Sequence, residues 1–121
     1  MRNKSRQRIG TRGEDLAAAE LQRQGMVILD RNWRCRAGEI DIVAKEAGSL
    51  VFCEVKCRTG LGFGAPLEAI TYAKSRKLRQ LAGQWLAAHE VNGHRVRIDA
   101  IGVVMLATSE PQITHLRGIG A

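Results

Sequence analysis

Asp41, Glu54 and Lys56 are the side chains whose types and spacing best suit chemistry in this sequence. They lie within 38–58, in two stretches that alternate strictly. Ile40, Ile42 and Ala44 fall on one face against Glu39, Asp41 and Val43, and Val51, Cys53, Val55 and Cys57 oppose Phe52, Glu54, Lys56 and Arg58. The pattern predicts a β-hairpin with one core face and one charged face. With Ala47 and Gly48 as its turn, the glycine supplying a positive φ, Asp41 faces Glu54 and Glu39 faces Lys56. Opposed side chains in an antiparallel pair have Cβ atoms about 5 Å apart, where like charges repel. A divalent cation between Asp41 and Glu54 would turn that repulsion into coordination, hard oxygen to hard ion, with Lys56 beside it. The plainer alternative is a half-buried hairpin with a solvated charged face, and the spacing alone leaves both open.

The elements that must position these groups belong to a chain of 121 residues, enough for one domain with its own core. Nineteen Lys and Arg against twelve Asp and Glu leave a net charge of +7. Such an excess favours a polyanionic partner, nucleic acid before membrane, because no apolar run approaches the roughly 20 residues of a membrane span and no long basic helix carries a broad apolar face. Three cysteines, Cys35, Cys53 and Cys57, are an odd number with no stretch that reads as a signal peptide, which predicts a reducing cytoplasm. Cys53 and Cys57 fall on the core face, and no cysteine spacing fits a zinc site.

Residues 1–12 carry Arg2, Lys4, Arg6, Arg8 and Arg12 with no acidic residue, and are expected as a flexible basic arm, either tracking phosphates or simply solvated. Thr11 and Glu14 fit a capping box that opens a helix over 14–24, ended by Gly25. Glu14 then either complements the helix dipole or supplies a third carboxylate near the hairpin. A strand across much of 26–35 and a turn at Ala37-Gly38 complete a three-stranded meander. In it Arg31, Arg34 and Arg36 surround Trp33 as either a basic-aromatic nucleic-acid surface or the rim of a buried tryptophan. Segment 59–65 has Gly60, Gly62 and Gly64, a spacing that is neither a dinucleotide fingerprint nor a P-loop, and serves as a close-approach loop or a plain connection. Pro66 opens a long helix over about 67–89, with Ile70, Ala73, Leu78, Leu81, Trp85 and Leu86 as its apolar stripe. Lys74, Arg76, Lys77 and Arg79 form a basic segment near its start, suited to phosphate or to solvent. After Asn92-Gly93 a strand runs from Arg95 towards Leu106, and Gln112–Leu116 forms an edge strand. His89, His94 and His115 are spaced for neither a metal site nor a triad.

This order, with Asp41 on one strand and Glu54-Val55-Lys56 on the next, resembles the PD-(D/E)xK restriction-endonuclease-like superfamily. Closer still, Arg31-Asn32-Trp33-Arg34, Gly38-Glu39-Ile40-Asp41, Phe52 to Arg58, Phe63-Gly64-Ala65-Pro66, Lys74 and Arg97-Ile98-Asp99 are similar to the YraN family of bacterial proteins, relatives of archaeal Holliday-junction resolvases. Ile40 stands where the superfamily's proline would be. The resemblance implies an α/β fold, a mixed central sheet flanked by helices, in a single domain over 13–121. It implies a metal-dependent nuclease, read as an endonuclease on structured or branched DNA, with DNA placed before RNA; composition adds that no membrane partner is expected. Asp41, Glu54 and Lys56 would be catalytic; Glu14, Asp41, Glu54 and the Val55 carbonyl would hold Mg²⁺ or Mn²⁺; Arg31, Arg34, Arg58, Lys74, Arg76 and Lys77 would contact nucleic acid. Cutting a two-fold junction calls for a homodimer. Glu39 is left between metal and Lys56. The alternatives are a non-catalytic nucleic-acid-binding module on the same fold and a protein-assembly factor.

Overall fold

In the computed structural model, which describes residues 4–59, 72–107 and 109–119, the turn at Ala47-Gly48 folds β2 (Gly38–Glu46) back onto β3 (Ser49–Arg58). Their antiparallel ladder runs from Glu46↔Ser49 to Ile42↔Cys53, the register that brings Asp41 level with Glu54. The left-handed turn residue is Ala47, at φ 51°, and not Gly48. The turn thus sets about 1–2 kcal/mol of local strain on an alanine, held by the strand pairing either side. β1 (Val27–Cys35) pairs antiparallel with β2, completing the meander, and its register shifts between Ile28 and Asp30.

β3 then pairs in parallel with β4 (Arg95–Val104), from Ser49↔Arg95 to Arg58↔Val104. Parallel neighbours cannot be joined by a tight turn, and the connection carries α2 (Tyr72–Ala88). β5 (Gln112–Leu116) returns antiparallel on β4, giving a five-stranded sheet in the order β1-β2-β3-β4-β5. The order helix, three strands, helix, two strands around a mixed sheet is consistent with a restriction-endonuclease-like fold.

Both faces of the sheet are core. On one, Ala17, Ala18 and Leu21 of α1 (Lys4–Arg23) pack on Ile42, Ala44, Val51, Cys53, Ile101 and Val103. On the other, Leu78, Leu81, Ala82 and Trp85 of α2 pack on Ile40, Val43, Leu50, Phe52 and Ile98, with Trp33 partly buried at the margin. The expectation of a single core face is therefore corrected: Val43 and Phe52, assigned to the charged face, are fully buried. The crossover helix has to lie on a sheet face, and α1 already fills the first. Ile40 belongs to the α2 side and Ile42 to the α1 side, so the alternation of β2 slips between them, at Asp41.

α1 begins at Lys4, so Thr11 lies inside the helix and caps nothing, contrary to the capping box read there. Lys, Arg and Gln are strong helix formers, and extending a nucleated helix costs less than starting one. α2 begins in the description at Tyr72; the glycines of 60–65, the Pro66 helix start and Ile70 lie outside the described residues. β4 ends at Val104, short of the expected Leu106. Among the described residues, no helix is long and apolar enough to cross a membrane.

Candidate functional site

Past Ile42↔Cys53, β2 and β3 part, and β3 stays paired only with β4. The Val55 amide, which has lost its β2 carbonyl partner, donates instead to Asp41 Oδ2 at 2.8 Å. A buried backbone N–H must find an acceptor, and here a carboxylate in the fork between two strands provides it. Burial pushes the Asp41 carboxyl up, and the charge of Glu54 pushes it further; the Val55 hydrogen bond opposes them, Glu14 and Glu39 add to the rise, and the group titrates at about 7. The charge of Glu54 acting on Asp41 agrees with the facing of the two inferred from spacing.

Lys56 Nζ lies 3.2 Å from Glu54 Oε1. The pairing of Lys56 with Glu39 across the hairpin is corrected: Glu39 Oε2 meets Arg34 Nε at 3.2 Å, its register partner on β1. Once the two strands have separated, Glu39 turns to the strand it still pairs with, and Lys56 to the carboxylate two residues back on its own face.

Glu14 reaches the site because α1 presses closely on β3. A Cβ added at Gly13 would collide with Cys57 Sγ and lie 3.2 Å from Cys57 Cβ, so a glycine is needed at this contact. Glu14 is buried, and its Oε1 accepts from Arg31 Nε at 3.0 Å and Asn32 Nδ2 at 2.8 Å. Arg31 also holds Asp15 at 2.6 Å. Arg31, expected on nucleic acid, is therefore occupied by carboxylates that raise its already high pKa, Asp15 first and then Glu14 against a smaller loss from burial than their sum. Asn32 is a residue the sequence reasoning missed. It stands in β1 with φ 54°, between Arg31↔Ile42 and Trp33↔Ile40 and hence level with Asp41. Asparagine tolerates the left-handed region better than other side chains, but nothing in the sequence marks such a residue inside a strand. Burial, then Asp41 and Glu14, push the Cys57 thiol up, so it stays protonated beside the acids.

Among the described residues, no three His, Cys, Asp or Glu side chains converge into a ready metal cage. Asp41 and Glu54 are the carboxylates that would face a cation; Glu14 accepts from Arg31 and Asn32, and the Val55 amide donates to Asp41, a bond that does not engage the Val55 carbonyl. Two hard carboxylates suit Mg²⁺ or Mn²⁺ by donor chemistry, because Mg²⁺ keeps several waters and takes one or two carboxylates. The negative charge that raises Asp41 is what such a cation would relieve.

The remaining basic residues divide by position. Arg34 and Arg58 are exposed on β1 and at the end of β3, and Lys74, Arg76 and Lys77 are exposed on the first half of α2. At Gly38, φ 149°, a Cβ would stand 3.4 Å from Leu81 Cδ1 and 3.7 Å from Lys77 Cε, so α2 sits directly on the start of β2. Three residue steps along the strand lead from Gly38 to Asp41, about 10 Å, which brings this basic surface to the acidic end of the sheet.

A second polar cluster lies away from these acids. Asp99, fully buried, accepts from Arg97 Nε and Nη2 at 2.9 and 3.0 Å, from the Gly118 amide at 3.0 Å and from His115 Nε2 at 2.7 Å. Gln24 Nε2 donates to His115 Nδ1 at 3.1 Å, which places the ring proton on Nε2, facing Asp99. Burial works against the Asp99 charge, but His115, Arg97 and the Gly118 amide together hold its carboxyl below the usual range. His115, given no role from spacing, ties β5 and the segment after it to β4.

Fold and site together define an α/β domain of restriction-endonuclease-like architecture with acids and a lysine gathered where two strands of its sheet part. Residues 13–103 match the model of the uncharacterised protein family UPF0102, and the chain belongs to that family, the YraN-like one. It is 48% identical over 122 residues to a UPF0102 protein of Mycobacterium ulcerans (strain Agy99), covering 99% of this chain and 100% of that one. A UPF0102 protein of Rhodococcus opacus (strain B4) is 49% identical over 109 residues, 90% of this chain and 92% of its own. One of Clavibacter michiganensis subsp. michiganensis (strain NCPPB 382) is 49% identical over 111 residues, 92% and 94%. The family match contains Glu14, Asp41, Glu54 and Lys56.

Proposed function

We propose that this chain is a metal-dependent endonuclease of the PD-(D/E)xK kind, hydrolysing phosphodiester bonds in structured or branched DNA in the cytoplasm. The observation that carries the reading is the Asp41 carboxyl, held in the strand fork level with Glu54 while it accepts from the Val55 amide. A stability-driven sequence has no use for the repulsion between two such acids. Asp41 and Glu54 would hold Mg²⁺ or Mn²⁺, which when bound supplies charge stabilisation at the phosphate and a more acidic water. Asp41, still accepting from the Val55 amide, fixes the spacing of β2 and β3 at the site. Lys56, beside Glu54, presents its ammonium to the developing phosphate charge. Arg31 and Asn32 keep Glu14 in place, and Arg34, Arg58, Lys74, Arg76 and Lys77 bind the DNA backbone, with residues 1–12 adding charge to the 13–121 domain. Paired cleavage of a two-fold junction calls for a C₂ homodimer.

The test is incubation of a labelled four-way junction with the protein in Mg²⁺, beside the Asp41→Asn variant. Cleavage by the first and not the second supports the reading. Retention on the junction without cleavage identifies a non-catalytic binding module on the same fold, and no retention points to a protein-assembly role.

A further inference from the structure

Tyr72 is the one tyrosine of the chain, and its side chain stands 68% exposed at the described start of α2. One turn on, the Arg76 guanidinium lies 5.8 Å from its ring centroid, a cation–π pair on one helix face. Beside the pair, Ala73, Arg76, Lys77 and Gln80 line an open groove of about 480 Å³. The Lys77 stem reaches Gly38, which ties the groove to the acidic end of the sheet. A wet aromatic face, a planar guanidinium and an ammonium one turn on form a set with a chemical meaning. Phosphates need only the cations. The ring is suited to a base whose face is free, and in a duplex that face is stacked on its neighbours.

From this set we propose that the surface formed by Tyr72 and the groove beside it binds an unpaired nucleotide: the base stacks on the Tyr72 face that Arg76 leaves open, and the flanking phosphates meet Arg76 and Lys77. This rests on the nuclease reading and narrows its substrate to DNA with unpaired bases next to the cut, such as an open junction centre or a flap. Gly38 to Asp41 spans about 10 Å of strand, so the distance from groove to acids is a matter of a few nucleotides.

The test compares the wild type with Tyr72→Ala and Tyr72→Trp by fluorescence anisotropy, using a dT oligonucleotide and a blunt duplex of equal length, without metal. Removal of one stacking platform should weaken dT binding by about 5- to 100-fold and leave duplex binding within about twofold. Tyr72→Trp should restore dT binding. Equal losses on both ligands, or no loss on dT, overturn the inference and leave the nuclease reading standing. A wild type that binds neither ligand overturns both.

Discussion

Replacing Asp41 by Asn should stabilise the metal-free protein while removing the function proposed for it. In the folded chain the carboxyl titrates at about 7 against an ordinary value of 3.8, so the folded state keeps a proton that the unfolded state has released. Stability then falls as pH rises between those two values, by about 1.4 kcal/mol per pH unit, and levels off above pH 7 at a cost of about 4 kcal/mol. Asparagine carries no charge, yet its side-chain oxygen can still accept from the Val55 amide, so the hydrogen bond at 2.8 Å survives. The gain from Asp41→Asn should be near zero at pH 3, grow through pH 5 and reach a few kcal/mol at pH 8. For a chain of this length that is roughly a 10–15 °C rise in Tm. Thermal melts of both proteins across pH 3–8 measure it. Millimolar Mg²⁺ should raise the wild-type Tm at pH 8 and leave the variant alone, since only the former offers two carboxylates. A variant no more stable than wild type at pH 8 would refute the account of Asp41 as a carboxyl forced up by burial and Glu54.

Lys56→Ala should cut any Mg²⁺-dependent cleavage by about 10²–10³-fold with DNA affinity little changed, as measured by single-turnover rates beside anisotropy. If Lys56 serves only its half-exposed pair with Glu54, cleavage survives and Tm falls by the equivalent of about 1 kcal/mol or less. Gly13→Ala should destabilise by about 1–3 kcal/mol because its Cβ meets Cys57 Sγ, and Cys57→Ala in the same chain should recover most of the loss in urea melts. Asp99→Ala strips the acceptor from Arg97, His115 and the Gly118 amide together and should cost about 3–5 kcal/mol, with hydrogen exchange rising first in β5.

The hairpin was legible because two local signals agreed, a period of two on both strands and a small-residue turn, and together they set the pairing of Ile42 with Cys53. Agreement at that level sufficed to bring Asp41 and Glu54 together. What the period could not show was the second covered face. Val43 and Phe52 sat at positions counted as charged, and two apolar residues there were the available sign that a helix would bury them. Glu39 and Lys56 do not pair because a register carried on to Glu39 assumes that the strands stay paired, and their separation depends on Asp41 replacing a backbone acceptor. The Glu14 anchor escaped for a related reason: it depends on a left-handed Asn32, a backbone state fixed by tertiary contacts and not by local preference. Likewise Thr11 met the rule for a cap, yet the helix simply continued through it.

The irregular course of β1 also bears on edge-to-edge pairing between copies of the chain. β1 is an outer strand of the sheet, and Val27 and Leu29 are exposed on it. A long, flat, apolar margin of this kind is a template on which a further strand can add, chain after chain. Here the register shift between Ile28 and Asp30 and the left-handed Asn32 break the regular row of amides and carbonyls twice within a few residues. The distortion that aims Asn32 at Glu14 would thereby also hinder open-ended strand addition. A residue with a stricter preference for extended backbone at position 32 would straighten the margin, and the expected penalty is insoluble protein before any loss of fold.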